Sequence, residues 1–219
     1  MRFGQIAGNK SINAMIYRCF DHISEQDAHK FVRKFKDQLT DNTQVMHTFR
    51  ELVLGAYLGS IGLNVRYEHQ VDKKTPDWCI LSGSSALFAI VELVNFHVDK
   101  VTQDRIERQL ENTGFHIGWQ QPNDFRLYDV IRRKANLYRE LVKVRGIPYI
   151  VAVFGEFWAS VNLDELHSCL YGSSSSIFAR NQDMSGVLFF EEQSGRYRFT
   201  YLPNPNASFG LDIRNGELS

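Results

Sequence analysis

Periodic apolar positions predict helices in three parts of the chain. Over residues 28–39 they recur at helical spacing, after Ser24 and Asp27 at the spacing of a capping box. A second helix is predicted over residues 45–61, where an apolar stripe ends before a glycine. A long third helix is predicted over residues 124–145. Much of the N-terminal region is therefore expected to be helical.

Extended segments follow the second helix. Strands are predicted over residues 64–71, 77–81, 87–96, 147–154, 187–190 and 196–202, with a short helix over 163–170. The segment IPYIVAVF is almost wholly apolar, which is typical of a central strand covered on both faces. The order of elements predicts an α/β fold, in which a central mixed β-sheet is flanked by helices and preceded by an N-terminal helical extension.

Composition narrows the class of protein. The 25 basic and 25 acidic residues cancel, which argues against a strongly basic nucleic-acid coat but not against an enzyme that contacts a few phosphates. We expect a cytoplasmic protein without a membrane partner, because the sequence lacks both a long apolar run and a signal-peptide pattern. The three cysteines lie far apart and do not suggest a zinc site.

Two carboxylates are predicted to face each other across neighbouring strands. Glu92 interrupts the apolar strand LFAIVELVNF, and Asp77 begins the preceding strand in TPDW. If residues 83–86 form the connecting loop, Asp77 pairs directly with Glu92, with Cβ atoms about 5 Å apart. Carboxylates this close require a cation, and oxygen ligands suit Mg²⁺ or Mn²⁺. Alternatively, Asp77 caps a turn and Glu92 reaches towards solvent.

A third carboxylate lies on the predicted helix 45–61. His47, Glu51 and Gly55 form one column beside its apolar stripe. Gly55 would allow the helix to approach the sheet closely. His47 could orient Glu51, although we interpret it as a surface histidine.

The ordered set FRELVLGAYLGSIGLNVRYEHQ, TPDW and ALFAIVELVNF resembles the PD-(D/E)XK, or restriction-endonuclease-like, superfamily. The resemblance covers residues 45–155. It implies a glutamate on the first core helix (Glu51), a proline-aspartate entering the second strand (Asp77) and an acidic residue in the third (Glu92). We predict three regions along the chain: a helical extension (1–44), a nuclease-like core (45–160), and a C-terminal helix and strands packed on the core (161–219).

The chain departs from this family pattern at the motif lysine, where Val94 stands. Lys134 interrupts the apolar stripe of the predicted helix 124–145. A lysine buried there needs a carboxylate partner, because burial alone would remove its proton. Lys134 is therefore our candidate for a migrated lysine. Lys134 and Tyr138 are one turn apart and resemble a polar-xxx-Tyr motif of exonuclease-type members. The alternative is a lysine that reaches the edge of the sheet. Lys73 and Lys74 are interpreted as solvated loop charges.

Basic residues are concentrated on two predicted helices. Residues 124–145 carry seven basic and three acidic side chains, so Arg132, Arg133 and Tyr138 are candidate nucleic-acid contacts, although an ordinary solvated face fits equally well. On the helix that includes residues 28–39, the basic side chains are interpreted as a solvated face rather than a DNA-binding one, namely Lys30, Arg33, Lys34 and Lys36.

The resemblance predicts a magnesium- or manganese-dependent nuclease, with DNA as the expected substrate. Asp77, Glu92 and the Leu93 carbonyl would hold one metal ion, Glu51 a second ion or a water, and Lys134 would act as the catalytic lysine. The alternative is an inactive nuclease-fold protein that binds nucleic acid or serves assembly. The sequence leaves a homodimer or a partner protein open.

Overall fold

The computed structural model describes residues 9–38, 41–96, 108, 124–155, 161–172 and 174–219. Several parts of the predicted regions lie outside this set, namely residues 1–8, 39–40, 97–107, 109–123, 156–160 and 173. Within the described ranges, no helix is both long and apolar enough to cross a membrane.

The N-terminal part of the described chain forms three helices, α1 (Lys10–Phe20), α2 (Glu25–Asp37) and α3 (Asn42–Ser60). Each follows a residue whose side chain accepts backbone N–H groups of the first turn, namely Asn9, Ser24 and Asp41. One half of the predicted capping box is confirmed, because Asp27 N–H donates to Ser24 Oγ over 3.2 Å. The Asp27 carboxylate accepts from the Ser24 hydroxyl over 2.8 Å, whereas a capping box has the Ser24 backbone N–H as the donor.

The other elements are, in chain order, β1 (Asn64–Tyr67), β2 (Trp78–Leu81), β3 (Leu87–Phe96), α4 (Asp124–Leu137), α5 (Arg139–Arg145), β4 (Tyr149–Gly155), α6 (Leu163–Tyr171), α7 (Ile177–Arg180), β5 (Gly186–Gln193), β6 (Arg196–Pro203) and β7 (Gly216–Leu218). The strands form one seven-stranded sheet in sequence order. Strand β4 pairs in parallel with β3 and β5, and the other pairs are antiparallel. The predicted α/β class with a mixed sheet is confirmed.

The two faces of the sheet belong to two separate cores. Trp78, Val91 and Leu93 share a buried cluster with residues of α3. Ile90 and Val94 point the other way and share a cluster with residues of α4 and α5. Because side chains alternate along a strand, Glu92 belongs to the α4 face, whereas Glu51 comes from the α3 face.

The N-terminal helices are part of the first core. Met15 and Cys19 of α1 and Phe31 of α2 are buried in the same cluster as α3 and the sheet. The region predicted as an extension is therefore packed into the core in its described part.

Several elements differ from the sequence predictions. The strand predicted over residues 64–71 ends at Tyr67, and helix α7 was not predicted. The helix predicted over residues 124–145 is broken at Tyr138, where φ is −112° and ψ is 7°. The Lys74 ammonium donates to the Leu137 carbonyl at this break, so a side chain replaces a helical hydrogen bond. Strand β7 was not predicted, because its three residues are too few to show an alternating pattern.

Candidate active site

The register of β2 and β3 brings Asp77 next to Glu92. Trp78 pairs with Val91, so Asp77, just before β2, lies opposite Glu92 as predicted. The turn differs from the predicted loop 83–86, because Ser82 N–H donates to Ala86 O over 2.8 Å. A shift in register between Ile80 and Leu81 compensates for the shorter turn, so the pairing near Asp77 is unchanged.

Backbone hydrogen bonds hold both carboxylates, which we call the acidic pair (Asp77 and Glu92). Asp77 N–H donates to Glu92 Oε1 over 3.0 Å. Leu93 N–H donates to Asp77 Oδ2 over 2.8 Å. Each acid is thus bound to the backbone of the other strand, so the strand pairing itself sets the distance between them.

Lys134 of α4 is the cation nearest to the acidic pair among the described residues. Its Nζ lies 2.7 Å from Glu92 Oε2 and 4.0 Å from Asp77 Oδ2. Burial would lower the pKa of Lys134, but the charges of Glu92 and Asp77 outweigh it and hold the pKa above its ordinary value. Lys134 is therefore a charged donor directed at both acids.

One positive charge does not balance two carboxylates. Burial first, and then the charge of Glu92, raises the pKa of Asp77 from 3.8 to about 7, although Lys134 acts in the opposite direction. Because the Asp77 side chain is only 21% exposed, water screens this repulsion weakly. Burial and the charge of Glu92 therefore favour the protonated form of Asp77.

Two tyrosines and Lys74 surround the acidic pair. Burial and a hydrogen bond to the charged Glu92 raise the pKa of Tyr138, whose side chain is buried. The hydroxyl of Tyr149 donates to the Lys134 carbonyl over 2.6 Å. The Lys74 ammonium lies 4.9 Å from the centre of the Tyr138 ring. Lys74 is exposed and lies in a loop, as the sequence predicted, and its ammonium also contacts the Leu137 carbonyl.

Glu51 has its own set of partners, which we call the Glu51 cluster (Glu51, Lys34, Tyr67 and His47). Lys34 Nζ and His47 Nε2 each lie 3.2 Å from one of its carboxylate oxygens. The Tyr67 hydroxyl donates to the oxygen that Lys34 contacts. Burial would raise the pKa of Glu51, but the hydrogen bond from His47 and the charge of Lys34 hold it below its ordinary value.

The Glu51 cluster and the acidic pair are neighbours rather than one group. The charge of Glu51 contributes to the raised pKa of Asp77, so the two are electrostatically coupled. The indole N–H of Trp78 donates to the Glu51 carbonyl over 2.9 Å, which joins β2 to α3. Within the described ranges, however, no three His, Cys, Asp or Glu side chains form a group that could hold a metal ion.

His47 and Lys34 differ from their sequence interpretations. His47 is half-exposed, contacts Glu51 through Nε2 and accepts from the Asn95 amide through Nδ1, which favours the Nε2–H tautomer. Lys34 and its neighbour Lys30 do not line a solvated face, since Lys30 contacts Asp27 and the Tyr67 carbonyl. Lys30 directly precedes Phe31 of the apolar stripe, and Lys34 follows it by three residues, about one helical turn. This spacing could have indicated that both lysines lie near the core.

The basic side chains of α4 and α5 are largely paired. Arg132 lies 3.3 Å from Asp129, and Arg133 donates to the Asp129 carbonyl over 3.4 Å. Arg139 and Lys143 lie 3.2 and 3.5 Å from Asp183. Arg132 and Arg133 are exposed and remain candidate nucleic-acid contacts, whereas Tyr138 is only 4% exposed and faces Glu92.

The donor set of the acidic pair fits one divalent cation. Both acids offer carboxylate oxygens, and Asp77 Oδ1 accepts no hydrogen bond from the described residues. Glu92 is bound to Lys134 and to the backbone, so it would share its oxygens with a metal ion. At Glu51 the fit is poorer, because Lys34, Tyr67 and His47 already bind its oxygens.

Comparison of the chain with protein-family models, with curated proteins and with solved structures finds no match in any of the three. Its function is therefore inferred from the chemistry of the acidic pair, Lys134 and the Glu51 cluster.

Proposed function

We propose that the protein is a metal-dependent nuclease of the PD-(D/E)XK type that hydrolyses phosphodiester bonds, with DNA as its expected substrate. The observation that carries the proposal is the position of Lys134, whose ammonium lies 2.7 Å from Glu92 and 4.0 Å from Asp77. The sequence has Val94 where the family pattern has lysine. A lysine from α4 thus supplies the missing charge beside the acidic pair, which lies on adjacent strands of a mixed sheet.

In this proposal, Asp77 and Glu92, together with the Leu93 carbonyl, hold one Mg²⁺ or Mn²⁺. A divalent cation held there supplies electrophilic polarisation of the scissile phosphate. Burial first, and then the charge of Glu92, raises the pKa of Asp77 to about 7, and a cation held there would relieve the repulsion between the two carboxylates. The backbone N–H groups of Asp77 and Leu93 keep both carboxylates in place for it.

Lys134 stabilises negative charge in the same proposal. An ammonium has three N–H donors, and one of them is directed at Glu92. The other donors can bind a phosphate oxygen or the attacking water, so positive charge would be available where negative charge develops. The charges of Glu92 and Asp77 keep Lys134 protonated, which this role requires.

The second candidate function is an inactive nuclease-fold protein that binds nucleic acid or takes part in an assembly. One observation favours it: Lys134 already neutralises Glu92, much as a structural ion pair would. Loss of the motif lysine at Val94 fits this alternative too. The raised pKa of Asp77 favours the enzyme, because a structural ion pair gains nothing from a second carboxylate beside it.

The first prediction separates the two candidates by metal response and by cleavage. Mg²⁺ or Mn²⁺ should raise the melting temperature of the wild type, since a cation that binds only the folded state adds about 2.7 kcal/mol at a hundred times its dissociation constant. The same cations should support cleavage of labelled DNA or RNA oligonucleotides, single- or double-stranded. Asp77→Asn and Glu92→Gln should abolish both responses, and Lys134→Met should abolish cleavage while retaining the thermal response.

Glu140→Gln is the matched control, because it removes an exposed carboxylate of α5. This variant should cleave and respond to metal like the wild type. A wild type whose melting temperature is unmoved by either cation, and which cleaves none of the oligonucleotides, would eliminate the nuclease and leave the binding or assembly function.

A further inference from the structure

Helix α2 supplies a lysine to a polar cluster beside the acidic pair. Lys34 Nζ lies 3.2 Å from Glu51 Oε2 and 2.9 Å from Glu68 Oε1. It also donates to the Tyr67 hydroxyl, which donates in turn to Glu51. A single ammonium therefore holds two carboxylates and a phenol, and its side chain is only 30% exposed.

Packing fixes α2 in the position that this contact needs. Phe31, one turn before Lys34, is buried and stacks on Tyr67 with ring centres 4.1 Å apart. Its ring centre lies 5.9 Å from that of Trp78, the residue next to Asp77. The same helix thus contacts the partner of Glu51 and the residue beside Asp77.

The opposite side of Glu51 is also fixed. His47 Nε2 lies 3.2 Å from Oε1, and Asn95 of β3 holds the other ring nitrogen of His47. Glu51 is therefore held from α2 and from β3 at once. Of these contacts, Lys34 provides the only full positive charge that does not depend on protonation of His47.

We propose that Lys34 is a positioning residue of the nuclease site, which acts through Glu51 and Tyr67 and brings the N-terminal helix α2 into the reaction. This inference rests on the proposed function. Lys34 and Tyr67 fix the orientation of the Glu51 carboxylate. The route to the acidic pair is the indole N–H of Trp78, the residue next to Asp77, which donates to the Glu51 carbonyl over 2.9 Å.

The test is a double-mutant cycle on the full chain, measured with the oligonucleotides that the wild type cleaves in Mn²⁺. Lys34→Met should lower kcat roughly 10- to 100-fold, the range typical of residues that orient catalytic ligands, with little change in KM. Glu51→Gln should lower kcat at least as much. If Lys34 acts through Glu51, the double variant should be no slower than Glu51→Gln alone.

Three further variants make the cycle interpretable. Lys36→Met removes the same charge from an exposed position of α2 and should leave kcat unchanged. Lys34→Arg keeps the charge and should restore part of the lost activity. Since Lys34→Met leaves a buried carboxylate without its cation, its melting temperature should fall, and addition of Glu51→Gln should recover it.

Each outcome decides between explanations. A wild type that cleaves no oligonucleotide overturns this inference together with the proposed function. Cleavage by the wild type with equal kcat in Lys34→Met overturns the positioning role alone. Additive losses in the double variant also overturn it, because Lys34 would then act independently of Glu51.

Discussion

At the scale of single residues, Asp77 is distinguished by a raised pKa, which burial and the charge of Glu92 both favour. Its carboxyl group is favoured in the protonated form by burial and by the charge of Glu92, and Lys134 compensates only in part. The folded pKa of about 7 lies above the ordinary value of 3.8. The stability that protonated Asp77 contributes is therefore fully present below about pH 4 and is lost as the pH rises through about 7.

The raised pKa of Asp77 leads to a prediction for the stability of Asp77→Asn in metal-free buffer. The amide oxygen can still accept from Leu93 N–H, but the negative charge is gone. We expect the variant to be more stable than the wild type by about 1–3 kcal/mol at pH 8, with the difference shrinking towards pH 4. Urea unfolding at a series of pH values measures it.

Asp212→Asn is the control for this experiment, because its side chain is exposed and should follow the wild type at every pH. A difference for Asp77→Asn that is absent, or that grows as the pH falls, would contradict the raised pKa. Glu92→Gln should behave differently and lose stability, because it leaves Lys134 without its closest carboxylate.

At the scale of elements, the close approach of α3 to β2 depends on Gly55. A Cβ atom built on Gly55 would lie 1.8 Å from the ring of Trp78, which is fully buried. The sequence predicted this approach from the column of His47, Glu51 and Gly55. Trp78 also binds the Glu51 carbonyl, so the packing of the helix sets the position of Glu51.

Gly55→Ala should therefore destabilise the protein, although alanine favours helices by about 1 kcal/mol over glycine. The rigid ring cannot move aside without shifting β2, and overpacking of this kind costs about 1–3 kcal/mol. Thermal unfolding measures the loss, and the near-ultraviolet circular dichroism of Trp78 should change. Gly83→Ala is the control: a Cβ there meets nothing within 4 Å, so its melting temperature should match the wild type.

The strands near the acidic pair could be predicted because their signal is local. The boundaries of β3 match the prediction for residues 87–96. The predicted pairing of Asp77 with Glu92 assumed the loop 83–86, which is wrong, and the pairing is kept by the shift in register between Ile80 and Leu81. The break at Tyr138 could not be predicted, since it depends on Lys74, which is distant in sequence. The partners of Glu51 were missed for the same reason: Lys34 and Tyr67 reach it from other elements.

At the scale of the whole molecule, the N-terminal helices and the sheet share one core. Phe31 is fully buried against Tyr67 and Trp78, although it lies in the region that the sequence predicted as an extension. Apolar periodicity showed that α2 has a buried face but could not identify what covers it. The division into residues 1–44, 45–160 and 161–219 stays a prediction.

Phe31→Ala should lower the stability of the whole protein rather than loosen α2 alone. Removal of a buried phenylalanine costs about 3–5 kcal/mol, and shared packing should keep the unfolding transition single. Tryptophan fluorescence and far-ultraviolet circular dichroism in urea should report the same lowered midpoint. Val32→Ala, at a position that is 39% exposed, should change the midpoint little. Two separate transitions for Phe31→Ala would mean that α1 and α2 unfold on their own.

The crossed backbone hydrogen bonds of the acidic pair have a consequence for its response to ligands. The Glu92 carboxylate accepts from Asp77 N–H and the Asp77 carboxylate accepts from Leu93 N–H, so the strand pairing holds the two acids close together. The fold thus preorganises both acids, while burial and the charge of Glu92 raise the pKa of Asp77 to about 7. A ligand that brings positive charge to Asp77 would relieve the repulsion between the two carboxylates without moving the backbone. The repulsion that destabilises the free protein would therefore increase the affinity for such a ligand.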